Sequence, residues 1–532
     1  MVKTVAIIGA GVSGLVAIKS CLEENLEPTC FEKSDDIGGL WKFSDDVKDH
    51  KASIYNSLVT NSSKELSAFS DFPMPADFPN FLPHHKYYEY LKLYAENFKL
   101  VKYIQFKTKV CRLEKHPDFA ATGRWKVTTE HKGQIKTAIF DAVFVCSGQN
   151  VNAIMPIDTF PGINNFKGKV LHSKEYKRPA GYDDKKVLII GMGNSGVDIS
   201  VDLCPQASQV YLSTRQGVWV IPRLGTGGYP YDFNVVFRFK DWIENLVPPA
   251  VSRWMFKRYV NGRFSHQMYN FEPEGILWKE PLVNDELPSH ILSGSIIIKP
   301  GVTKFTETAA HFWDGTVVDN LDAVIVCTGF DCDFPFLDES VFKMDESKGS
   351  LYKKIIPLGI EKPTIAFLSF VRPVGSHMVL SELQSRWATR LFKGLHKLPD
   401  PGNIKREMLK DQERRKKWFA TSEDNFRRTN YISYLDDLAS DIGVKPNIWK
   451  LFFTDPILAF NIVFGIFSSY QYRLNGPGKW PGARKAILTH WERIHKPLNT
   501  RVSKQDPKLP LTSFMLLFLF FVSLFVALWL KN

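Results

Sequence analysis

Residues 3–32 read KTVAIIGAGVSGLVAIKSCLEENLEPTCFE, and their pattern predicts the architecture of the N-terminal domain. A short apolar run of β-forming residues, 3–8, leads into the glycine turn GAGVSG at residues 9–14, after which the chain is compatible with a helix. A second predicted strand, residues 27–32, ends in an acid. A lone G-x-G-x-x-G pattern is weak evidence, but strand, glycine turn, helix, strand and terminal acid in this order predict a Rossmann-type dinucleotide-binding unit.

The glycine turn predicts a site for a dinucleotide pyrophosphate. Gly9 makes the tight turn, Gly11 lets the backbone approach the pyrophosphate, and Gly14 lets the helix pack on the strand. The N-terminus of the helix supplies amide donors to the phosphates. Glu32 would bind ribose hydroxyls and repel a 2′-phosphate, so this first site favours FAD or NAD. The turn residues expected to contact the cofactor are Gly9, Ala10, Gly11, Val12, Ser13 and Gly14.

The same pattern recurs in the middle of the chain. Residues 186–190 lead into GMGNSG at 191–196, with glycines at Gly191, Gly193 and Gly196, and a helical segment and the predicted strand 209–213 follow. Thr214 and Arg215 stand where the first unit has its acid. Because a guanidinium can pair bidentately with a 2′-phosphate, this second site favours NADPH. The alternative is that Arg215 is a solvated surface charge.

A second internal sequence repeat indicates how the two units are joined. Residues 141–148 read DAVFVCSG and residues 322–329 read DAVIVCTG, with six of eight positions identical. Each reads as a buried strand that ends in a turn of small residues, where a chain can pass close to a cofactor or switch domains. Two nucleotide sites on one chain indicate a hydride relay, in which NADPH reduces a flavin and the flavin reduces something else.

We therefore predict an α/β fold with two Rossmann-like dinucleotide-binding domains. An FAD-binding domain, residues 1–150 and 331–445, is interrupted by an NADPH-binding domain, residues 151–213 and 297–330. The remaining segments are an insertion at 214–296, a C-terminal helical region at 446–510 and the apolar segment 511–530.

Composition and charge exclude several classes. A chain of 532 residues is too long for one ordinary core, and 44% hydrophobic residues argue against extensive disorder. The net charge of +12 suggests anionic partners. Since nothing in the sequence resembles a zinc finger or an RNA-binding module, we assign this charge to cofactor phosphates and a membrane surface, not to nucleic acid.

The cysteines give information on redox chemistry. Seven are dispersed along the chain without any C-x-x-C pair, which is typical of reduced structural thiols and predicts no metal site. The dithiol that flavin disulfide reductases use is missing, so that class is disfavoured. Molecular oxygen and a diffusible electron acceptor are then the remaining oxidants of the flavin.

The C-terminal segment 511–530, LTSFMLLFLFFVSLFVALWL, has twenty residues without a charge, which is enough to cross a bilayer. A basic stretch precedes it, and the N-terminus is not a signal peptide. We expect a tail anchor with the body of the protein on the cytoplasmic side; a buried terminal helix is the alternative. In that orientation the N-x-S triplet at 61–63 would not meet the glycosylation machinery.

The insertion at 214–296 carries a second membrane signal. Part of it, VVFRFKDWIENLVPPAVSRWMFKRYV, interleaves aromatic residues with Arg and Lys around a Pro-Pro break. This composition suits a helix pair at a bilayer interface, and it equally suits a packed helical subdomain with a basic outer face. The run KREMLKDQERRKK at 405–417 is interpreted as a solvated helix face.

Residues 166–176 read FKGKVLHSKEY and fit the signature F-x-G-x-x-x-H-x-x-x-Y. With GAGVSG, FEKSDDIGGLW, SLVTNSSKE, FSDFPMP, GMGNSG, STRQGVW and ELQSRW, the chain resembles the vertebrate-type flavin-containing monooxygenases, the microsomal dimethylaniline monooxygenase family, over nearly its whole length. Baeyer–Villiger monooxygenases have a similar signature but usually carry Trp where this chain has Tyr176.

The resemblance implies a mechanism and a location. NADPH reduces FAD, NADP⁺ stays bound, and a C4a-hydroperoxyflavin formed with O₂ transfers oxygen to the nitrogen or sulfur of a lipophilic small molecule. Such a reaction requires a pocket from which water is excluded. The endoplasmic reticulum membrane is the expected location. Baeyer–Villiger oxygenation of ketones, an NADPH oxidase that releases H₂O₂, and a membrane-anchored flavoprotein scaffold stay open as alternatives, as does a homodimer.

The resemblance also implies site residues. Asn61 is the expected catalytic residue, because its amide can hold the oxygenated flavin and the nicotinamide without adding a charge. Further FAD contacts are expected from Gly38, Gly39, Leu40, Trp41, Asn61 and Ser62. NADPH contacts are expected from Tyr55, Thr60, Asn61, Gly191, Gly193, Asn194, Ser195, Gly196, Asp198, Thr214, Arg215 and Arg223.

Four further residues have expected roles. His172 is interpreted as a structural or hinge residue, since oxygen transfer to a lone pair needs no dedicated base. Cys146 and Cys327 are expected in the core at strand ends. Arg372 stands where relatives generally carry Gln, which leaves the range of substrates open.

Overall fold

The computed structural model describes residues 2–47, 52–273, 281–338, 341–342, 351–373, 375–418 and 427–501. The predicted tail anchor at 511–530 lies outside these residues. Among the helices within them, none is both long enough and apolar enough to span a bilayer.

The strands are mostly short, and the longer ones belong to three sheets. In chain order they are β1 Thr4–Ile8, β2 Glu27–Phe31, β3 Ile104–Gln105, β4 Thr108–Lys115, β5 Trp125–His131, β6 Gln134–Phe140, β7 Ala142–Val145, β8 Asn152–Ala153, β9 Lys169–His172, β10 Lys186–Ile190, β11 Gln209–Ser213, β12 Val220–Ile221, β13 Leu282–Val283, β14 Ile296–Lys299, β15 Val302–Phe305, β16 Ala310–Phe312, β17 Val317–Val318, β18 Ala323–Val326, β19 Phe330–Asp331, β20 Leu351–Tyr352, β21 Ile356–Pro357, β22 Ile365–Phe367, β23 Arg372–Pro373 and β24 Arg428–Thr429.

The helices cover the two main sheets, and those from α10 onward account for much of the described chain after residue 376. They are α1 Val12–Glu23, α2 Lys64–Ser67, α3 His84–Asn97, α4 Phe119–Thr122, α5 Asn194–Leu203, α6 Tyr231–Val235, α7 Arg238–Leu246, α8 Pro249–Asn261, α9 Leu287–Leu292, α10 His377–Phe392, α11 Pro401–Trp418, α12 Tyr431–Asp441, α13 Ile448–Thr454, α14 Pro456–Phe464, α15 Ala483–Leu488 and α16 His490–His495.

The first sheet has the strand order β22-β7-β1-β2-β3, and all its strands are parallel. The central strand β1 and its neighbour β7 are buried along nearly their whole length, as the continuous apolar runs of the sequence predict for a parallel sheet covered on both faces. Helix α1 packs between this sheet and α10.

The second sheet repeats this arrangement. Its order is β14-β11-β10-β18-β9, again all parallel. Strand β10 lies between β11 and β18 as β1 lies between β2 and β7. The repeated segments DAVFVCSG and DAVIVCTG contain β7 and β18, so the sequence repeat is a repeat in the structure as well.

The chain crosses between the two sheets twice, and the crossings are hydrogen-bonded to each other. It leaves the first sheet through β8 and returns through β19, and these strands pair antiparallel. Thr328 Oγ1 donates to the carbonyl of Ile154 at 2.5 Å, and Lys174 Nζ donates to the carbonyl of Val151 at 2.9 Å. The two crossings therefore form one connecting ribbon.

The insertion contains the predicted helix pair and is fixed to the C-terminal region by a buried ion pair. Helices α7 and α8 are separated at Pro248. From α7, the fully buried Arg238 donates to both carboxylate oxygens of Asp436 on α12 at 2.6 and 2.8 Å, and Tyr472 donates to the same carboxylate. The run at 405–417 lies in α11, and most of its side chains between 405 and 416 are exposed.

Candidate cofactor-binding and active site

The first glycine turn has a geometry that only glycine permits. Gly9 has φ 101°, and a Cβ there would lie 2.7 Å from the carbonyl oxygen of Cys146. A Cβ on Gly14 would lie 1.9 Å from the carbonyl oxygen of Gly9. The turn therefore brings the N-terminus of α1 against the end of β1, which leaves the first amides of α1 directed at a phosphate position.

The IGGLW turn lies on this glycine turn. Gly38 donates its N–H to the carbonyl of Ala10 at 3.0 Å, and a Cβ on Gly39 would lie 3.1 Å from the Cα of Gly11. Gly39 has φ 54°, and Trp41 packs on Tyr87 with ring centroids 4.3 Å apart. Two glycine backbones thus approach each other where the sequence predicts the pyrophosphate of FAD.

Glu32 lies at the end of β2, and its carboxylate is fixed by backbone amides. Its Oε2 accepts from the N–H of Ala10 at 2.7 Å, and its Oε1 accepts from the N–H of Ser34 at 2.8 Å. The carboxylate is buried beside the glycine turn, so the acid predicted to bind ribose also fixes the turn itself.

Ser13, at the start of α1, meets residues that sequence reasoning missed. Its hydroxyl lies 3.1 Å from that of Ser369 and donates to that of Ser381 on α10 at 3.3 Å. Ser369 has φ 64° and is held there because its N–H donates to Gln384 Oε1 at 2.8 Å. The ELQSRW segment, which contains Gln384, is the one signal in the sequence that this helix contributes to the site.

The second glycine turn repeats the first. Gly191 has φ 111°, and a Cβ there would lie 2.5 Å from the carbonyl oxygen of Cys327. A Cβ on Gly196 would lie 1.9 Å from the carbonyl oxygen of Gly191, whereas a Cβ on Gly193 would meet nothing within 4 Å. The open space beside Gly193 fits a phosphate group. Ser195 follows it in the first turn of α5.

Thr214 and Arg215 follow β11 at the edge of this turn. Thr214 Oγ1 donates to the carbonyl of Gln216 at 2.6 Å. The side chain of Arg215 is exposed, its stem lies beside Gly301, and within the described part of the chain it forms no ion pair. The guanidinium is therefore not neutralised by any described carboxylate.

Three residues predicted to contact NADPH form hydrogen bonds here: Tyr55 with Asp198, and Asp198 and Asn194 with the insertion. Tyr55 donates to Asp198 Oδ2 at 2.7 Å, and Asn284 Nδ2 donates to Asp198 Oδ1 at 3.0 Å. Asn194 Oδ1 accepts from the N–H of Val283 at 2.8 Å. Burial raises the pKa of the Asp198 carboxyl above its usual value. The first turns of α5 are thus tied to the segment 283–284, which sequence reasoning missed.

The segment 55–66, which contains VTNSSKE and is called the Asn61 segment below, connects the two halves of the site. Tyr55 belongs to the core around the second sheet, and Leu66 belongs to the core around the first sheet. Thr60 forms two hydrogen bonds with the backbone of Leu82, both 2.9 Å long. The hydroxyls of Ser62 and Ser67 lie 2.8 Å apart. The segment is therefore rigid on both sides of Asn61.

The Asn61 side chain is exposed and is held by Arg223. Arg223 Nη2 donates to Asn61 Oδ1 at 2.8 Å, and Arg223 Nε donates to the carbonyl of Thr60 at 3.1 Å. Asp285 lies 3.8 Å from the same guanidinium. Arg223, predicted to reach the phosphates of NADPH, is bonded here to the predicted catalytic residue.

The other sequence-predicted residues lie outside this cluster. His172, at the end of β9, is buried, and its ring packs edge-on against Phe330 of the connecting ribbon. Burial lowers its pKa. Cys146 is buried at the end of β7, while Cys327, at the end of β18, is only half-buried. Arg372 pairs through β23 with β24. No group of three potential metal ligands occurs among the described residues.

The two glycine turns have the same geometry, each lies on a parallel sheet, and the segment that carries Asn61 joins them. This arrangement is that of a flavoprotein oxidoreductase with two dinucleotide sites. A Cβ on Gly11 would lie 3.6 Å from the Cα of Gly39, and a Cβ on Gly193 would enter open space, so the two turns leave room for the phosphates of FAD and NADPH.

The model of the flavin-binding monooxygenase-like family matches residues 2–532, and the chain belongs to this family. It is 49% identical over 528 residues to dimethylaniline monooxygenase [N-oxide-forming] 2 of Cavia porcellus, covering 99% of this chain and 98% of that protein. It is 51% identical over 503 residues to human flavin-containing monooxygenase 3, covering 94% of each chain.

Solved structures share the fold at lower identity. S-allyl-L-cysteine S-oxygenase from Allium sativum aligns with a TM-score of 0.63 at 22% identity, covering 93% of this chain and 99% of its own. NADP⁺-bound cyclohexanone monooxygenase from Rhodococcus sp. Phi1 aligns with a TM-score of 0.61 at 14% identity, covering 83% and 98%. This chain is thus a flavin-dependent monooxygenase that uses FAD and NADPH.

Proposed function

We propose that this enzyme oxygenates soft nucleophilic nitrogen or sulfur atoms of lipophilic small molecules and that Asn61 is the residue on which this oxygenation depends. The observation that carries the proposal is the Arg223–Asn61 hydrogen bond on a segment anchored in both cores. The names of two relatives, an N-oxide-forming monooxygenase and an S-oxygenase, support the choice of substrate atoms.

The role of Asn61 follows from its amide. Its Oδ1 is occupied by Arg223, so its NH₂ group is left as an exposed donor of fixed orientation. A neutral donor held in place in advance stabilises developing negative charge without the cost of reorganisation. Bound NADPH and FAD supply the hydride and the activation of O₂. The substrate brings its own lone pair, so no protein base is required.

The cofactor contacts are part of the same proposal. The first turn, with Glu32 and the IGGLW turn, holds FAD; the second turn, with Thr214 and Arg215, holds NADPH. Tyr55 and Asp198 hold α5 against the Asn61 segment through their 2.7 Å hydrogen bond. The domain limits given above follow from this assignment of the two cofactors.

The choice of substrate atom can be tested with the purified enzyme, NADPH and ¹⁸O₂. We expect one ¹⁸O atom in the sulfoxide of a thioether and in the N-oxide of a tertiary amine, with product formation close to NADPH consumption. A lipophilic ketone is the matched alternative substrate, and we expect little ester from it. Ester formation at a rate similar to sulfoxidation, or H₂O₂ as the main product with all three compounds, would contradict the proposal.

We propose further that the enzyme works at the endoplasmic reticulum membrane. Large apolar side chains of the insertion are exposed, including Leu246 (80%) and Trp254 (62%), and so is Phe453 (88%) on α13. Helix α7 contacts α14, and α14 contacts α13. Arg253 and Lys257 accompany these side chains, which is the composition of a surface that lies in a bilayer interface.

A deletion of residues 511–532 separates the two membrane signals. We expect the truncated enzyme still to bind vesicles that contain anionic lipid, because the helical surface persists. Replacing Leu246, Trp254 and Phe453 together by Glu is expected to lower this binding by more than about 100-fold. Ile135→Glu is the matched control, since Ile135 is 73% exposed on the edge strand β6, which belongs neither to the insertion nor to α13. Full release by the deletion alone would refute an interfacial role for the helices.

A further inference from the structure

Asp232, on α6 of the insertion, contacts the Asn61 segment from the side opposite to solvent. Its side chain is buried, and its Oδ2 accepts from the N–H of Ser63 at 2.6 Å. Ser63 caps α2, where its Oγ accepts from the N–H of Leu66 at 3.4 Å. Asp232 thus holds the backbone at the point where the Asn61 segment becomes a helix.

Two side chains of the insertion therefore hold the four residues from Thr60 to Ser63. Arg223 binds the carbonyl of Thr60 and the side-chain oxygen of Asn61, and Asp232 binds the amide of Ser63. The Arg223 guanidinium donates to the two oxygen atoms, and the Asp232 carboxylate accepts from the N–H. Because both contacts come from the insertion, the conformation around Asn61 depends on a part of the chain remote in sequence.

Burying the Asp232 carboxylate lowers the stability of the folded protein. Among the described residues none donates a hydrogen bond to its second oxygen, Oδ1. Burial raises the pKa of Asp232 to about 6, although the N–H of Ser63 acts in the opposite direction. An asparagine could accept the same N–H without a buried charge. The Ser63 amide therefore requires an acceptor at this position and not the charge itself.

We propose that Asp232 is a positioning residue for oxygenation: by accepting the N–H of Ser63 it fixes the backbone that presents Asn61. It acts through the segment and touches neither substrate nor cofactor. The inference rests on the proposed role of Asn61 and adds a second residue that controls it.

The test compares three variants of the full-length, FAD-loaded enzyme. Asp232→Ala removes the acceptor, and Asp232→Asn keeps an acceptor but removes the charge. Asp241→Ala is the matched control, because Asp241 lies on the adjacent helix α7, burial also raises its pKa, and it bonds Asn245 and Ser433 instead of the Asn61 segment. Two quantities are measured: hydrogen exchange of the peptide 58–68, and product formed per NADPH consumed.

In Asp232→Ala, the Ser63 amide is expected to exchange about tenfold faster or more, since a bond to a charged acceptor is lost. Product per NADPH is expected to fall about tenfold, with H₂O₂ making up the difference. Asp232→Asn should restore most of both quantities, and it also serves as the informative variant if Asp232→Ala does not fold. Asp241→Ala should leave both unchanged.

Asn61→Asp, measured alongside, separates this inference from the proposed function. If Asn61→Asp abolishes product formation while Asp232→Ala lowers it no more than Asp241→Ala does, the positioning role is overturned and the role of Asn61 stands. Unchanged exchange of the peptide 58–68 in Asp232→Ala overturns it as well. If Asn61→Asp leaves oxygenation intact, both assignments fail, whatever Asp232→Ala does.

Discussion

Asn61→Asp is expected to turn the enzyme into an NADPH oxidase, with product per NADPH lowered about 100-fold and FAD still bound. The substitution keeps the shape of the side chain but replaces its NH₂ donor by an acceptor. Removing one preorganised donor at a developing negative charge costs about 10²–10³ in rate. The new carboxylate would also form an ion pair with Arg223, which now donates to Asn61 Oδ1 at 2.8 Å, so the negative charge would be held in the site.

The measured quantity is the amount of sulfoxide formed per NADPH and per O₂ consumed, and H₂O₂ is quantified in parallel. Asn56→Asp is the control. Asn56 is exposed on the same segment, and the substitution introduces the same charge five residues earlier. We expect the control to keep the wild-type ratio of product to NADPH. A wild-type ratio in Asn61→Asp would remove Asn61 from the reaction.

Arg215→Ala is expected to raise the KM for NADPH about 100-fold and to leave the KM for NADH nearly unchanged. Hydrogen bonds to charged groups contribute about 1.5–3 kcal/mol each, and a bidentate pair with a 2′-phosphate is among the strong ones. The exposed guanidinium forms no ion pair within the described part of the chain, so no ion pair with a described carboxylate has to be broken to bind the phosphate.

Flavin reduction by NADPH and by NADH under anaerobic conditions measures this preference directly. Lys304→Ala is the matched control, because it removes one exposed positive charge from β15, the strand that follows Gly301, beside which the Arg215 stem lies. Its effect is expected to be small and equal for both nucleotides. If Arg215→Ala weakens NADPH and NADH to the same degree, Arg215 contributes only to the general positive potential and not to recognition of the 2′-phosphate.

Both dinucleotide turns could be predicted from the sequence because their geometry is local. The strands predicted at 3–8 and 27–32 are observed as Thr4–Ile8 and Glu27–Phe31. In each turn the third glycine lies against the carbonyl of the first, so the spacing alone dictates the contact. The repeat of DAVFVCSG in DAVIVCTG likewise predicted two equivalent strands, since an apolar run of this kind is stable only inside a covered parallel sheet.

The contacts that fix Asn61 could not be predicted in this way. Arg223 and Asp232 reach the segment from about 160–170 positions further along the chain, and no periodicity or spacing relates the partners. Sequence reasoning gave Arg223 a single role at the phosphates and did not single out Asp232. A surface charge and a buried charge look the same in a sequence, because burial is decided by the packing of the insertion against the first core.

The strand order of the first sheet also has a consequence for biosynthesis. Strand β22 pairs with β7, with Ile365 opposite Val143, so the whole second sheet and the insertion lie between two neighbouring strands. As the ribosome adds residues, β7 emerges long before its partner and exposes an unpaired edge while the second sheet is being completed. The nascent chain must therefore be protected from aggregation from the completion of β7 until β22 has been made, and a stop at any point before residue 367 would leave that edge open.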